Sequence, residues 1–216
     1  MILKCSEHQC RWRRRKEARP EEILDAALDL FTEKGFSATR MADVAKKAGV
    51  SKGTLYLYFE SKEIIFKELV KTMMSPMVDE AEVAINEFQG SSAELLDKMV
   101  TGWWESFWHN KLSAIPKLII SEAGNFPEIA EFYVEVIVKR VRGLFEDIIQ
   151  QGIDNKEFKA CNNKEAARLL MAPVIQANIW KFSLKPYDEA LDEKSYIRLH
   201  LEIFLSGIKK DDKHAK

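Results

Sequence analysis

The 216-residue chain balances 33 Lys+Arg against 34 Asp+Glu for a formal net charge of −1, is 46% hydrophobic, and has only nine glycines and six prolines. That length buries a full core, as one large domain or two small ones, while scarce glycine and proline beside recurring periodic apolar runs exclude a low-complexity chain and indicate an all-α fold of about nine helices. No apolar run is long enough to cross a bilayer, and the odd set Cys5, Cys10 and Cys161 is poorly placed for a disulfide framework.

These features, with a charged stretch directly after Met1-Ile2-Leu3, lead us to expect a cytoplasmic protein with no membrane partner. The charges divide unevenly: residues 1–60 hold 12 basic against 9 acidic side chains, leaving 21 against 25 for the rest. The amino-terminal part is mildly basic.

Residues 1–19 have no apolar period and carry the run Arg11-Trp12-Arg13-Arg14-Arg15-Lys16. They read as a basic flexible arm; the sharper alternative is that the arm reaches phosphates or a minor groove. Cys5, His8 and Cys10 lack a fourth ligand and match no zinc spacing, so no metal is expected. Pro20 then suits a helix's first turn, with Glu21 and Glu22 at its positive end. Ile23, Leu24, Ala27, Leu28, Leu30 and Phe31 recur at helical spacing until Gly35 stops the helix.

From Thr39 to Lys62 the chain reads TRMADVAKKAGVSKGTLYLYFESK. This is a short helix that Thr39 can cap, a tight turn at Ala48-Gly49-Val50, and a second short helix capped by Ser51. It is a helix-turn-helix. Gly49 falls where a left-handed backbone is favoured, and small residues at Ala42, Val44 or Ala45, and Ala48 let another helix approach. Lys52, Gly53 and Thr54 leave free N–H groups in the second helix's first turn, an anion-binding end. Val50, Leu55 and Phe59 point inward, whereas Lys52, Thr54, Tyr56 and Tyr58 point outward. Ser61 caps a fourth helix, expected over 61–75, with Lys62 placed near a bound phosphate.

At Gly35-Phe36, Thr39, Val44-Ala45, Ala48-Gly49-Val50-Ser51-Lys52-Gly53, Leu55-Tyr56, Tyr58-Phe59 and Ser61-Lys62-Glu63 the sequence resembles the TetR family of bacterial transcriptional regulators. The likeness covers roughly residues 23–70. It implies a three-helix DNA-binding head over 20–75, including the connecting helix, followed by a helical effector-binding and dimerisation domain over 76–208. By resemblance, Ser51, Lys52, Gly53, Thr54 and Tyr56 bear on DNA, with Thr39, Arg40, Met41, Tyr58 and Lys62 at its edges. Gly53, Thr54, Tyr56 and Arg40 are assigned to bases, and Ser51, Lys52, Tyr58 and Lys62 to phosphates.

Beyond Pro76, helices are expected over 77–88 and 93–110, the latter capped by Ser92 and carrying Trp103, Trp104, Phe107 and Trp108. Those rings wrap around the helix, so we expect at least one to line a hollow rather than fill core. His109 reads as a satisfied or exposed histidine. A helix over 111–123 has Pro116 in its first turn, and a long one over 128–151 is capped by Gly152. IISEAGNFPEIAEFY, residues 119–133, looks like a stretch common in TetR carboxy-terminal domains. Asn163 caps a helix to about 184, with Pro173 expected to kink it beside a cavity. The last helix spans about 187–208, and residues 209–216 form a charged tail.

Phosphate-cradling glycine loops, His-Glu-x-x-His, Gly-x-Ser-x-Gly and paired-cysteine zinc patterns are absent from the sequence, so no enzyme activity, catalytic residue or cofactor is expected. The expected function is a transcriptional repressor that binds a palindromic double-stranded DNA operator as a homodimer through about 164–184 and 187–208. It would release the operator when a small, largely apolar or aromatic effector binds among Trp103, Phe107, Trp108, Phe126, Tyr133, Met171 and Trp180. The alternatives are a regulator whose carboxy-terminal domain docks protein without a small-molecule effector, and an activator.

Overall fold

The computed structural model of the chain describes the backbone of residues 7–210 and the side chains of residues 20–210. The arm expected over 1–19 therefore lies outside the described side chains, and residues 211–216 of the tail lie outside the described chain. Within that range there are eleven α-helices: α1 Glu7–Lys34, α2 Met41–Lys47, α3 Lys52–Tyr58, α4 Lys62–Leu69, α5 Ser75–Glu87, α6 Ser92–Trp108, α7 Ile115–Glu122, α8 Pro127–Tyr133, α9 Lys139–Asp154, α10 Asn163–Ile179 and α11 Glu193–Ile208. π-turns at Val70–Met74 and Val134–Val138 join α4 to α5 and α8 to α9, leaving nine continuous helical runs. Among the described residues the one β-bridge pairs Phe158 with Lys209, and no helix is long and apolar enough to cross a membrane. The fold is all-α.

Pro20 does not open a helix. It lies inside α1, which begins at Glu7; the run before Pro20 carries no apolar stripe, so periodicity placed the start too late. The chain forms two compact units, residues 1–70 and 71–216, which part within the π-turn rather than at Pro76. Pro76 instead occupies the first turn of α5, directly after the π-turn.

In the first unit α1 packs on α2 and α4, and α2 on α3. Its centre is three fully buried rings: Phe31 and Phe36 lie 4.9 Å apart by centroid, and Phe36 and Phe66 meet edge-on at 5.9 Å. Ile23, Leu28, Val44, Leu55 and Ile65 close around them. Offset and edge-on rings add about 0.5–1.5 kcal/mol per pair beyond area burial.

In the second unit α6, α9, α10 and α11 share one core, in which Trp104 and Trp108 stack at 4.3 Å. Four boundaries differ from the sequence expectation. Ser91, not Ser92, caps α6, because only Ser91 has a glutamate three residues on: the Glu94 amide donates to Ser91 Oγ at 3.2 Å and the Ser91 amide to Glu94 Oε2 at 2.9 Å. Asn162, not Asn163, caps α10, its Oδ1 accepting from the Lys164 and Glu165 amides. Asp192 caps α11, whose start is thereby at Glu193 rather than Tyr187. Gly152 is no cap but a buried position within α9, where a Cβ would meet the Phe158 ring at 2.2 Å. The left-handed residue after that helix is Lys156, at φ 64°.

Candidate nucleic-acid interface and effector cavity

The turn between α2 and α3 forms as its residues dictate. Gly49 adopts φ +67°, the Val50 amide donates to the Ala45 carbonyl at 3.0 Å, and Ser51 Oγ accepts from the Thr54 amide at 3.0 Å. Ser51 and Thr54 hydroxyls also bond each other at 2.9 Å. Arg40, Ser51, Lys52, Gly53 and Tyr56 are exposed, and Met41, Thr54 and Tyr58 are half-buried. Leu57, on the same short helix, is 78% exposed. At Gly53 a Cβ would meet nothing closer than Ser51 Oγ at 3.9 Å, so internal packing does not require glycine there. Its effect is to leave the α3 backbone bare to an approaching surface.

Two residues placed at the edge of this face have other work. Thr39 does not cap α2; Arg40 holds that position. Thr39 is 1% exposed and its hydroxyl donates to the carbonyls of Gly35 at 2.7 Å and Leu30 at 3.3 Å, fastening the turn after α1. The Lys62 ammonium donates to the carbonyls of Phe36 at 2.7 Å, Ser37 at 3.0 Å and Thr39 at 3.3 Å, and sits 4.6 Å from the Phe36 ring centroid. An ammonium has three donors, and three carbonyls of the head's own backbone take those of Lys62. Lys47 is likewise held internally by Asp29 at 3.2 Å and Glu33 at 2.9 Å, and the Glu33 hydrogen bond raises its pKa.

The second unit contains a cavity of about 390 Å³ bordered by α6, α7, the run from α8 to α9, and α10. Trp103, Tyr133 and Met171, all expected at an effector site, line it together with Pro116, Ile137, Val138, Val141, Ala172 and Ile175. Burial pushes the Tyr133 hydroxyl's pKa up, so it stays a neutral phenol. Arg142 and Arg168 bring charge to this otherwise apolar wall, paired with Glu146 at 3.0 Å and Glu165 at 3.1 Å. Each guanidinium keeps further N–H donors beyond those bonds.

A second, smaller hollow has room for about one water-sized group. Phe107 and Trp108 line it with Trp104, Val174 and Asn178, and it shares Trp103, Pro116 and Ile175 with the larger cavity. Phe126 and Trp180 line neither space. Phe126 precedes α8 at its cap position, and the buried Trp180 donates its indole N–H to Asp188 Oδ2 at 2.9 Å, which holds that carboxylate's pKa down. Aromatic identity at helical spacing could not separate these structural rings from lining ones.

Residues 23–69 match the family of bacterial regulatory proteins called the tetR family. The HTH-type transcriptional regulator YhgD of Bacillus subtilis is 30% identical over 156 residues, 71% of this chain and 78% of that protein. The chain belongs to the TetR family. It is a DNA-binding transcriptional regulator. Among its TetR relatives, the fatty acid metabolism regulator protein of Bacillus subtilis is 27% identical over 197 residues, 89% of this chain and 98% of that protein. The solved structure of FadR from Bacillus subtilis in complex with stearoyl-CoA is similar at a TM-score of 0.72 and 25% identity, covering 87% of this chain and 98% of that one.

In this TetR chain the two cavity arginines leave a signal of their own in the sequence. Val138, Val141, Arg142 and Phe145 stand at i, i+3, i+4 and i+7, and so do Arg168, Met171, Ala172 and Ile175. Each arginine interrupts an apolar stripe, where a charge is costly unless it serves a partner.

Proposed function

We propose that this TetR-family protein is a cytoplasmic repressor that binds a palindromic operator as a homodimer and releases it when an amphipathic acyl ligand enters the cavity of the second unit. The observation that carries the reading is that cavity: about 390 Å³ of mainly apolar wall with Arg142 and Arg168 among its lining residues. A long hydrocarbon body would bury against Trp103, Met171 and Ile175, and an anionic head group would meet the guanidiniums. The fatty acid regulator and the stearoyl-CoA complex among its relatives support the same class of ligand for this chain.

DNA contact falls to the exposed side of α3. Gly53, Thr54, Tyr56 and Arg40 read bases, while Ser51, Lys52 and Tyr58 hold phosphates, with Met41 at the edge. Thr39 and Lys62 act from behind, by fixing the turn that presents α3. Two heads on a palindrome stand about 34–36 Å apart. Leu169 on α10 and Leu199 and Ile203 on α11, at 66%, 56% and 62% exposure, supply apolar surface for pairing of two copies.

Selecting genomic fragments bound by the full-length protein, then footprinting them, tests this reading. Protection of an inverted repeat that fades as stearoyl-CoA is added supports it; binding without any repeated sequence overturns it.

A further inference from the structure

Among the described residues, two buried polar side-chain atoms have no hydrogen-bond partner: the indole Nε1 of Trp108 and the amide Oδ1 of Asn178. The residues are only 3% and 4% exposed, and both line the small hollow that adjoins the effector cavity at Trp103, Pro116 and Ile175. Their surroundings are firmly tied. Asn178 Nδ2 donates to the Ser113 carbonyl, Ser113 Oγ donates to the Asn110 carbonyl at 2.7 Å, and the Lys181 ammonium donates to the Trp108 carbonyl. The network thus leaves one donor and one acceptor unmet on two residues that line the same hollow.

The chemistry of that group follows from the two atoms. An indole N–H only donates and an amide oxygen only accepts, so the complement must accept one hydrogen bond and donate another. A carboxylate or ketone cannot donate, and an ammonium cannot accept. A hydroxyl does both and occupies about the space of one water.

We propose that the hollow is a polar subsite at the end of the effector cavity, which takes a neutral hydroxyl carried by the apolar ligand, accepting from Trp108 Nε1 and donating to Asn178 Oδ1. This rests on the effector reading above and narrows it to ligands with a hydroxyl remote from the anionic head. A ligand ending in a methyl group would leave both atoms unmet or leave a water behind it.

Calorimetric titration of the full-length protein with matched pairs of saturated fatty acids and their ω-hydroxy derivatives, about eight to sixteen carbons long, tests the proposal. In a purely apolar cavity the added hydroxyl weakens binding. Here, at the chain length that reaches the hollow, the ω-hydroxy acid is expected to bind roughly ten- to a hundredfold tighter than its parent. Trp108→Phe, which keeps an aromatic ring and removes the N–H, is expected to abolish that preference. Parent acids that bind while every ω-hydroxy acid binds equally or more weakly would overturn the subsite and leave the effector reading intact. No binding by any acid in either series would overturn the subsite, and release of the operator by stearoyl-CoA would then decide the effector reading. The comparison within the unmodified protein decides the matter even where the variant fails to fold.

Discussion

The Lys62 ammonium and the Lys52 ammonium lie on neighbouring helices and are expected to fail in different ways when removed. Lys62→Met takes the ammonium away from the carbonyls of Phe36, Ser37 and Thr39 and should lower the head's stability by about 1–3 kcal/mol in urea denaturation. Lys52→Ala touches no internal bond described here; it should leave the melting curve in place, weaken binding to all duplexes alike, and reduce the slope of log affinity against log salt by about one. Gly53→Ala separates fold from function most cleanly. Its new Cβ meets only Ser51 Oγ at 3.9 Å, and alanine favours the helix by roughly 0.5–1 kcal/mol, so stability should hold or rise while operator affinity falls. Affinity unchanged by Gly53→Ala would place the duplex elsewhere. Caps such as Ser51 and Ser61, and the turn at Gly49, were legible because each is settled within a few residues of sequence. The partners of Thr39 and Lys62 lie up to 26 residues away, and no local pattern carries that information.

At the scale of elements, α9 shows a glycine chosen by packing rather than by backbone angle. Phe158 is fully buried against Gly152, and the segment between them returns the chain so that the Lys159 amide donates to the Ile208 carbonyl at 2.7 Å. Gly152→Ala should therefore cost about 1–3 kcal/mol by overpacking. Pairing it with Phe158→Leu should cost less than the two changes summed, since the smaller side chain makes room. Strict additivity in denaturation midpoints would contradict that contact. Helix count and most helix centres could be read from apolar spacing, but the π-turns could not, because insertion of one residue into a helical run leaves its pattern nearly unchanged. One of these turns, Val134–Val138, contributes Ile137 and Val138 to the cavity of the second unit. Part of the cavity wall was thus hidden in what reads as an ordinary long helix.

For the whole molecule, the exposed apolar residues of α10 and α11 matter only if two copies meet. Leu199→Glu with Ile203→Glu should convert a dimer to a monomer in size-exclusion chromatography with light scattering. Operator affinity should fall by about two orders of magnitude or more as bivalent contact is lost. A dimer unaffected by both charges would move the interface to another surface. That open space lies beside the tryptophan cluster was legible in the sequence, whereas the division between lining and core was not, since both uses place rings at the same spacing. The account's central claim is that occupancy of the cavity governs DNA release. Full reversal of a bound population from 99:1 to 1:99 requires the ligand to favour the released state by about 5.5 kcal/mol, roughly ten-thousand-fold. The most direct measurement is fluorescence anisotropy of a labelled, selected operator bound to the full-length protein and titrated with stearoyl-CoA, beside Met171→Trp, which narrows the cavity. The account predicts saturable release from the unmodified protein and retention by the variant; equal indifference of both complexes to the ligand would contradict it.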